Sequence, residues 1–492
     1  MYLKATIRNT IAVLSLNLLA GLAGYAFRIL LAHNVTVTDY GLFYSMLSFL
    51  SLFTVFIDIG MTQSLAKAIA EHTITKSHDR IKSLALTTLG LQLTLSTICA
   101  IFFLFLYPKY ASHLFQTSSW LPFILLVSWF VTLPLEMFFK SLFWGLHSVK
   151  LFALIDPIKN IMACVIAALL FLAGYGMITP FFSYAFLNIL AAFILLFPLV
   201  RVFPKFFRVK FHYQSELFKK IIFYGGHLAF ASLAWSMVVY MDSIMISFFN
   251  GTEEVGLYQA ALPLAYSLLY VVGALNMVAY PLFTKLSAAK KSDLIRQGVT
   301  LLYKYLFVGM IPLALIIISF PEIAISVLFG AKFIPAANAL RVLTIGTLLF
   351  SMASFNTSLL IATGHARALS KLAIITALLN VILNFTLIPT MKSTGAAIAT
   401  TISFALMLAT TLYIVRRVHK VKLPLARWLL NFVAGLIVVW IIAWLKKLLQ
   451  LNVYAELTII LITAFIVYVA LVFLFKITTM NELVKFLKTA LR

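Results

Sequence analysis

The chain has 492 residues, of which 63% are hydrophobic and only 11% charged, too few polar groups to clothe a soluble protein of this length. A net charge of +24 would suggest nucleic acid in a soluble protein, but apolar runs longer than about 18 residues recur from end to end, so the excess of base reads as membrane topology and no nucleic acid partner is implied. The runs are continuous rather than short and alternating, which excludes a barrel and leaves an all-α polytopic membrane protein.

At the N-terminus, Lys4 and Arg8 precede an apolar run, and GLAGYAF offers small residues, as a signal peptide would. Many spans follow and Arg28 interrupts the run, so an uncleaved first span is expected. Hydropathy then places about fourteen transmembrane helices, at 9–33, 41–67, 83–107, 119–144, 149–173, 178–201, 218–249, 255–284, 298–320, 337–362, 367–389, 394–416, 425–446 and 453–476. Under strict alternation, 29 lysines and arginines fall on one side and 5 on the other. That asymmetry supports the count and puts both termini in the cytoplasm of a multi-pass protein of the cell (inner or plasma) membrane. Cys99 and Cys164 lie inside apolar runs, so neither a disulfide framework nor a metal site is implied.

The remaining bases, Arg28, Lys159, Lys304 and Arg341, lie within spans, as do the acids Asp58, Glu136, Asp156 and Asp242. An ionised group at mid-bilayer costs about 2.5–3.5 kcal/mol on insertion scales, so these residues face a cavity, a partner or the interface. Arg28 lies six residues before Asn34, about 9 Å along a helix. A cavity-facing role is favoured there over snorkelling. Asp58, in TVFIDIGMTQS, divides evenly between cavity and helix pairing, while helix pairing is favoured for Glu136. Asp156 and Lys159 share a helix face and are expected to pair with each other. Lys304 divides evenly between snorkelling and a central cleft, and Arg341 reads as an interfacial anchor. Arg28, Asp58, Asp242, Lys304, Lys159 and Arg341 are thus the cavity candidates.

An internal repeat organises the spans. LLAHNVTVTDYGLFYS (30–45) is similar to MISFFNGTEEVGLYQA (245–260), with Gly41 aligned to Gly256. The same offset brings VRVFPK (200–205) onto VRRVHK (415–420), Thr179 onto Thr394, and Arg28 onto Ser243, next to Asp242. It covers six helices, an even number, so both copies enter from the same side. The expected organisation is a six-helix lobe at 1–210, a second at 211–422, and two extra C-terminal helices with a basic tail at 423–492. Two facing lobes would leave a cleft between them.

No phosphate loop, nucleophile elbow or metal-spaced His/Cys cluster occurs, and no extramembrane segment is long enough for a catalytic domain, so a transporter rather than an enzyme is expected.

Three strings carry a family resemblance: RILLAHNVTVTDYGLF with FIDIGMTQSLAK; YMDSIMISFFNGTEEVGLYQAALPL; and the series FIPAANALRVL, TGHARALSK and LNVILNFTLIPTMKSTGAAIATTISF. Together they resemble the polysaccharide-transporter (O-antigen-type) flippases of the multidrug/oligosaccharidyl-lipid/polysaccharide exporter superfamily, in order over about residues 8–420. The resemblance implies two pseudo-symmetric lobes like those of the multidrug and toxin extruders. It also implies translocation of a polyprenyl-(pyro)phosphate-linked oligosaccharide from inner to outer leaflet by alternating access, for cell-surface polysaccharide such as lipopolysaccharide O-antigen. Arg28 matches a basic residue that faces the central cavity in related flippases. Asp58 and Asp242 depart from their more cationic cavities.

Lipid-linked oligosaccharide and membrane lipids are therefore the expected partners, with a polysaccharide polymerase or glycosyltransferases alongside. No cofactor is implied, and Asp58 or Asp242 is the candidate for coupling to H+ or Na+. Two other readings remain, a cation-coupled multidrug exporter of the same fold and a flippase for the peptidoglycan precursor lipid II.

Overall fold

The computed structural model describes residues 2–212, 215–449 and 453–477. All regular structure among these residues is helical. The chain forms two compact units, Met1–Gly256 and Leu257–Arg492.

The first unit contains α1 (Tyr2–Asn34), α2 (Val37–Leu52), α3 (Thr54–Asp58), α4 (Met61–Ile74), α5 (His78–Leu114), α6 (Trp120–Gly145), α7 (Val149–Leu172), α8 (Thr179–Ala185), α9 (Leu187–Val202), α10 (Ser215–Asn250) and the start of α11 (Thr252–Tyr266). The second holds the rest of α11, then α12 (Leu269–Ala288), α13 (Ser292–Ser319), α14 (Pro321–Leu328), α15 (Ala337–Ala362), α16 (Ala366–His419), α17 (Leu425–Leu449) and α18 (Val453–Leu474). Eleven helices are long and apolar enough to cross a membrane, or twelve when α8 and α9, bent by 40°, count as one span. α18 is a shorter apolar helix, and α16 folds back on itself at Lys392. The chain is therefore a multi-pass membrane protein with about fourteen spans.

Several expected spans are broken rather than straight. The second is interrupted at Phe53 and again at Ile59–Gly60, where φ is 43° and 70°. The eighth breaks at the matching place in the repeat, between α11 and α12. The stretch corresponding to the continuous α5 is divided into α13 and α14 by Pro321, which lacks the N–H needed to continue a helix and sits instead in a first turn.

α16 is a hairpin. Lys392 departs from helical geometry at φ 52° and ψ −136°. A Cβ on Gly395 would lie 2.5 Å from the Leu387 carbonyl oxygen, so only glycine admits this close approach of the two arms. Deeper in, Asn380 Nδ2 donates to Thr400 Oγ1 across the arms at 3.1 Å. The hairpin packs on α15.

The two repeat glycines meet. A Cβ on Gly41 would fall on the Thr252 carbonyl oxygen, and one on Gly256 would fall 2.3 Å from the Val37 carbonyl oxygen. Val37 and Thr252 are themselves mates at the offset that relates Gly41 to Gly256. The contact is thus reciprocal, as a local two-fold axis requires. α10 packs on α2, α4 and α5, and so joins the first unit although the repeat assigns it to the second lobe.

In the first unit, α4, α5, α6 and α9 enclose a core around Leu65, Ile69, Phe139, Leu142, Phe143 and Leu199. In the second, the two extra helices dock on α13 and α14 through Val438, Ile460, Ala464 and Ile323. Asn431 Nδ2 donates to the Phe307 carbonyl at 2.7 Å, and the Tyr468 hydroxyl donates to the Val308 carbonyl at 2.7 Å. Between lipid-embedded helices such polar bonds and close packing supply the adhesion that water would otherwise drive.

Candidate substrate site

Arg28 projects from α1 toward the start of α2. Its guanidinium carbon lies 4.4 Å from the centroid of the Tyr44 ring, a cation over a π face. Tyr40, one turn earlier on α2, and Tyr184 of α8 are its other close electrostatic neighbours. Packing holds these phenols in place. The Phe43 ring meets Tyr184 edge-on at 5.2 Å, and Phe27 and Phe181 close around Phe43 at 6.2 and 5.4 Å. The result is an arginine set in a box of tyrosines, inside spans where charge is costly.

Tyr184 also lies within electrostatic range of Glu136, as does Tyr240 of α10, which shares a hydrogen bond with Ser51. Here the box adjoins a ladder of four charges. Lys140 Nζ lies 2.6 Å from Glu136 Oε1 and 3.0 Å from Asp156 Oδ1. Lys159 Nζ donates to Glu136 Oε2. The expected Asp156–Lys159 pair is therefore not the one that forms. Asp156 pairs instead across the helix packing with Lys140 of α6, and Glu136 pairs both along its own helix with Lys140 and across the packing with Lys159 of α7. Lys140 joins this ladder from within α6.

Proline marks both helices. Pro134 precedes Glu136 by two residues and Pro157 follows Asp156 directly. Each removes a helical N–H and leaves a carbonyl without its usual donor, in the turns where the polar side chains gather. The ladder is graded in exposure, with the Glu136 and Lys159 side chains 13% and 12% exposed and Asp156 52% exposed. A half-exposed carboxylate inside a span belongs against water rather than hydrocarbon.

Asp58 sits at the break in the second span. Its Oδ1 accepts from the Thr62 backbone N–H at 2.9 Å, from the Thr62 hydroxyl, and from Gln92 Nε2 of α5 at 3.1 Å. It thus satisfies the start of α4 after the left-handed Ile59–Gly60 turn and ties that turn to α5. Asp242, on α10, is buried.

The other candidates lie in the second unit. Lys304 is buried on α13, its Nζ 5.4 Å from the centroid of Tyr305. Its neighbour Tyr303 donates to Asn356 Oδ1 at 2.5 Å, and Asn356 Nδ2 donates to Thr411 Oγ1 at 3.3 Å. Arg341 pairs with Glu322 at 2.5 Å and donates to Asn338 Oδ1 at 2.8 Å, fastening α15 to the start of α14. Among the described residues no three His, Cys, Asp or Glu side chains gather as a metal site.

In the first unit the structure therefore pairs Lys159 with Glu136 and places Tyr184 within electrostatic range of both Glu136 and Arg28. Sequence reasoning did not single out Tyr40, Tyr44 and Tyr184. Their one signal was spacing, since Tyr40 and Tyr44 stand one turn apart in the string just after Arg28.

A family model described as "Polysaccharide biosynthesis protein" matches residues 6–287. An uncharacterized membrane protein of Methanocaldococcus jannaschii is 23% identical over 480 residues, spanning 94% of this chain and 94% of that protein. A putative O-antigen transporter of Shigella flexneri is 22% identical over 63% of this chain and 74% of its own length. Among solved structures, the lipid II flippase MurJ in an inward closed conformation superposes with a TM-score of 0.73 at 18% identity, over 95% of this chain and 98% of that one. An inward-facing multidrug resistance MATE family transporter gives 0.67 at 14% identity, over 84% of this chain and 98% of that one. At these identities the structural likeness speaks for the fold.

Proposed function

Since the chain belongs to the polysaccharide biosynthesis protein family, whose match covers residues 6–287, and has the fold of MurJ and MATE transporters, we propose that it is a lipid-linked oligosaccharide flippase. It carries a polyprenyl-(pyro)phosphate-linked glycan from the inner to the outer leaflet of the cell membrane, with both termini in the cytoplasm. The observation that carries this reading is the Arg28–tyrosine box.

A glycan cannot cross hydrocarbon unaided, because its hydroxyls would lose their hydrogen bonds. The phosphate of its carrier is the handle. A guanidinium presents two parallel N–H donors to phosphate oxygens, and Tyr40 and Tyr184 add hydroxyls beside them. Tyr44, beneath the guanidinium, holds its plane as the anion arrives. The prenyl tail stays in the bilayer while the polar head passes through a tract exposed first to one face of the membrane and then to the other. Asp58, at a helix break, and Asp242 are the groups that would couple this motion to H+ or Na+. A polymerase or glycosyltransferase would supply or consume the glycolipid.

A lipid II flippase is the second reading, favoured by the extent of the MurJ superposition, and it demands the same phosphate chemistry. A multidrug exporter would use the aromatic wall without the phosphate.

The test is flipping of a fluorescent polyprenyl-pyrophosphate glycan by reconstituted protein, with Arg28→Ala and Arg28→Lys beside the natural chain. Transport is expected to vanish in Arg28→Ala and to return in part in Arg28→Lys, where charge survives but the planar fork is lost. Normal flipping by Arg28→Ala removes the box as the phosphate site. Transport of lipid II but not of other glycolipids establishes the second reading. No glycolipid transport by the natural chain under any ion gradient leaves the exporter.

A further inference from the structure

The segment joining the two repeat copies, RVFPKFFRVKFH (201–212), interleaves aromatic and basic residues and begins where α9 ends. It is folded into turns. The Phe206 N–H donates to the Phe203 carbonyl at 3.0 Å, and the Arg208 N–H to the Lys205 carbonyl at 3.0 Å. Two of its phenylalanines point in. Phe203 and Phe206 are buried in the core of the first unit, against His78 and Phe138 at 5.3 and 6.1 Å between ring centroids. Two bonds to the start of α5 pin the remainder. Lys82 Nζ donates to the Val209 carbonyl at 2.7 Å, and the His212 N–H donates to Ser83 Oγ at 2.9 Å.

With those anchors set, Phe207 and Phe211 point outward, 57% and 51% exposed. Lys205, Arg208 and Lys210 are exposed beside them. No carboxylate occurs in the chain between Asp156 and Glu216. The outer face of α9, with Phe193 and Phe197 exposed, leads directly into this patch, and the Arg201 guanidinium stacks 4.4 Å over Phe197 at the junction. The patch thus continues a lipid-facing surface past the end of its span, to the depth of the headgroups. Apolar rings among cations at that depth match an interface with anionic lipid.

We propose that this segment is a lipid-binding anchor: Phe207 and Phe211 insert at the boundary of the headgroups, while Lys205, Arg208 and Lys210 hold the phosphates of anionic phospholipids. The repeat mate isolates the feature. At the offset of the repeat, Lys422 stands for Phe207 and Ala426 for Phe211, while Leu423 and Leu425 stand for Arg208 and Lys210, so the second copy lacks both rings and two of the three cations. The anchor would fix the surface of the first unit at the point where the chain passes to the second copy.

The experiment uses the full chain in vesicles, with Cys99→Ser and Cys164→Ala as background and an environment-sensitive fluorophore on Phe211→Cys. Lys422→Cys serves as the comparison site. In vesicles containing phosphatidylglycerol, the Phe211→Cys label is expected to emit to the blue and to be quenched by a nitroxide placed shallowly on the acyl chain, while the Lys422→Cys label is quenched by iodide from water. Pure phosphatidylcholine, or the triple variant Lys205→Ala/Arg208→Ala/Lys210→Ala, should lower the nitroxide quenching by about twofold or more, since each cation near an anionic surface contributes to its attraction.

A Phe211→Cys label quenched by iodide and not by nitroxide overturns the proposal. So does a label shielded from both, which would place a protein partner there. Nitroxide quenching unchanged by lipid charge overturns the recognition of anionic headgroups. None of these readouts depends on whether the protein moves a glycolipid.

Discussion

The first unit handles charge inside its spans in two contrasting ways. At Arg28 the cation rests on phenol rings and hydroxyls. At Glu136 the cations Lys140 and Lys159 rest on carboxylates, and the ladder of two bases and two acids sums to zero. Tyr184 lies within electrostatic range of both Arg28 and Glu136, yet the two groups are suited to different work. A neutralised ladder exerts little net field on an approaching anion, although it contains twice as many bases. A guanidinium softened by π faces keeps its formal charge and its donors, because a ring quadrupole attracts a cation without cancelling it. The number of bases within the membrane is therefore a poor guide to where an anionic head would settle. The chemistry of each base's neighbours decides it.

If that contrast is right, the largest loss of stability should come from the ladder. Glu136→Gln leaves two lysines facing a neutral amide, and one of them, Lys159, is largely buried. Breaking a buried pair from one side costs about 3–5 kcal/mol. The thermal unfolding midpoint in detergent should drop clearly. Adding Lys159→Met should recover part of the loss, since it removes the stranded charge while Lys140 retains Asp156. A double variant no more stable than Glu136→Gln alone would mean that the ladder is held by packing rather than by charge.

The box should respond in the opposite sense. Arg28→Met keeps the length of the side chain and removes a cation–π contact worth about 0.5–2 kcal/mol. Its unfolding midpoint should fall less than that of Glu136→Gln, while binding of a polyprenyl-pyrophosphate lipid, followed by fluorescence, should fall by far more. Equal losses of stability in the two variants would erase the distinction between a structural ladder and a binding box.

The sequence showed much of this frame and little of its detail. Span positions follow from apolar runs, and the repeat from strings whose glycines, Gly41 and Gly256, prove to meet each other. The string containing KSTGAAIATT carries the tight reversal at Lys392 and Gly395. Other features needed the third dimension. Spacing within one helix is visible in a sequence and points Lys159 to Asp156, whereas Glu136, 23 positions away on a neighbouring helix, is not visible there. The role of Asp58 is legible in its local sequence. Asp-Ile-Gly-Met-Thr, with glycine in a left-handed turn and threonine in the first turn beyond it, is the pattern of an acid capping a restarted helix. The tyrosines of the box were hidden among many aromatic residues, since nothing in composition separates a phenol that lines a polar tract from one that fills a core.

The smallest effect should be at the outer rung. Asp156 is half-exposed and pairs with Lys140, which keeps Glu136 as a second partner. Water screens such a pair, and losing it costs about 0–1 kcal/mol. Asp156→Asn should therefore hardly move the unfolding midpoint. It should, however, leave the ladder with one acid for two bases, and so make it the kind of site that Arg28 already is. An anionic glycolipid should then bind the variant at least as tightly as the natural chain, and more so at low salt, where the added net charge is least screened. Weaker binding in Asp156→Asn would show that the carboxylate contacts the glycan itself, and that the ladder is part of the substrate's path.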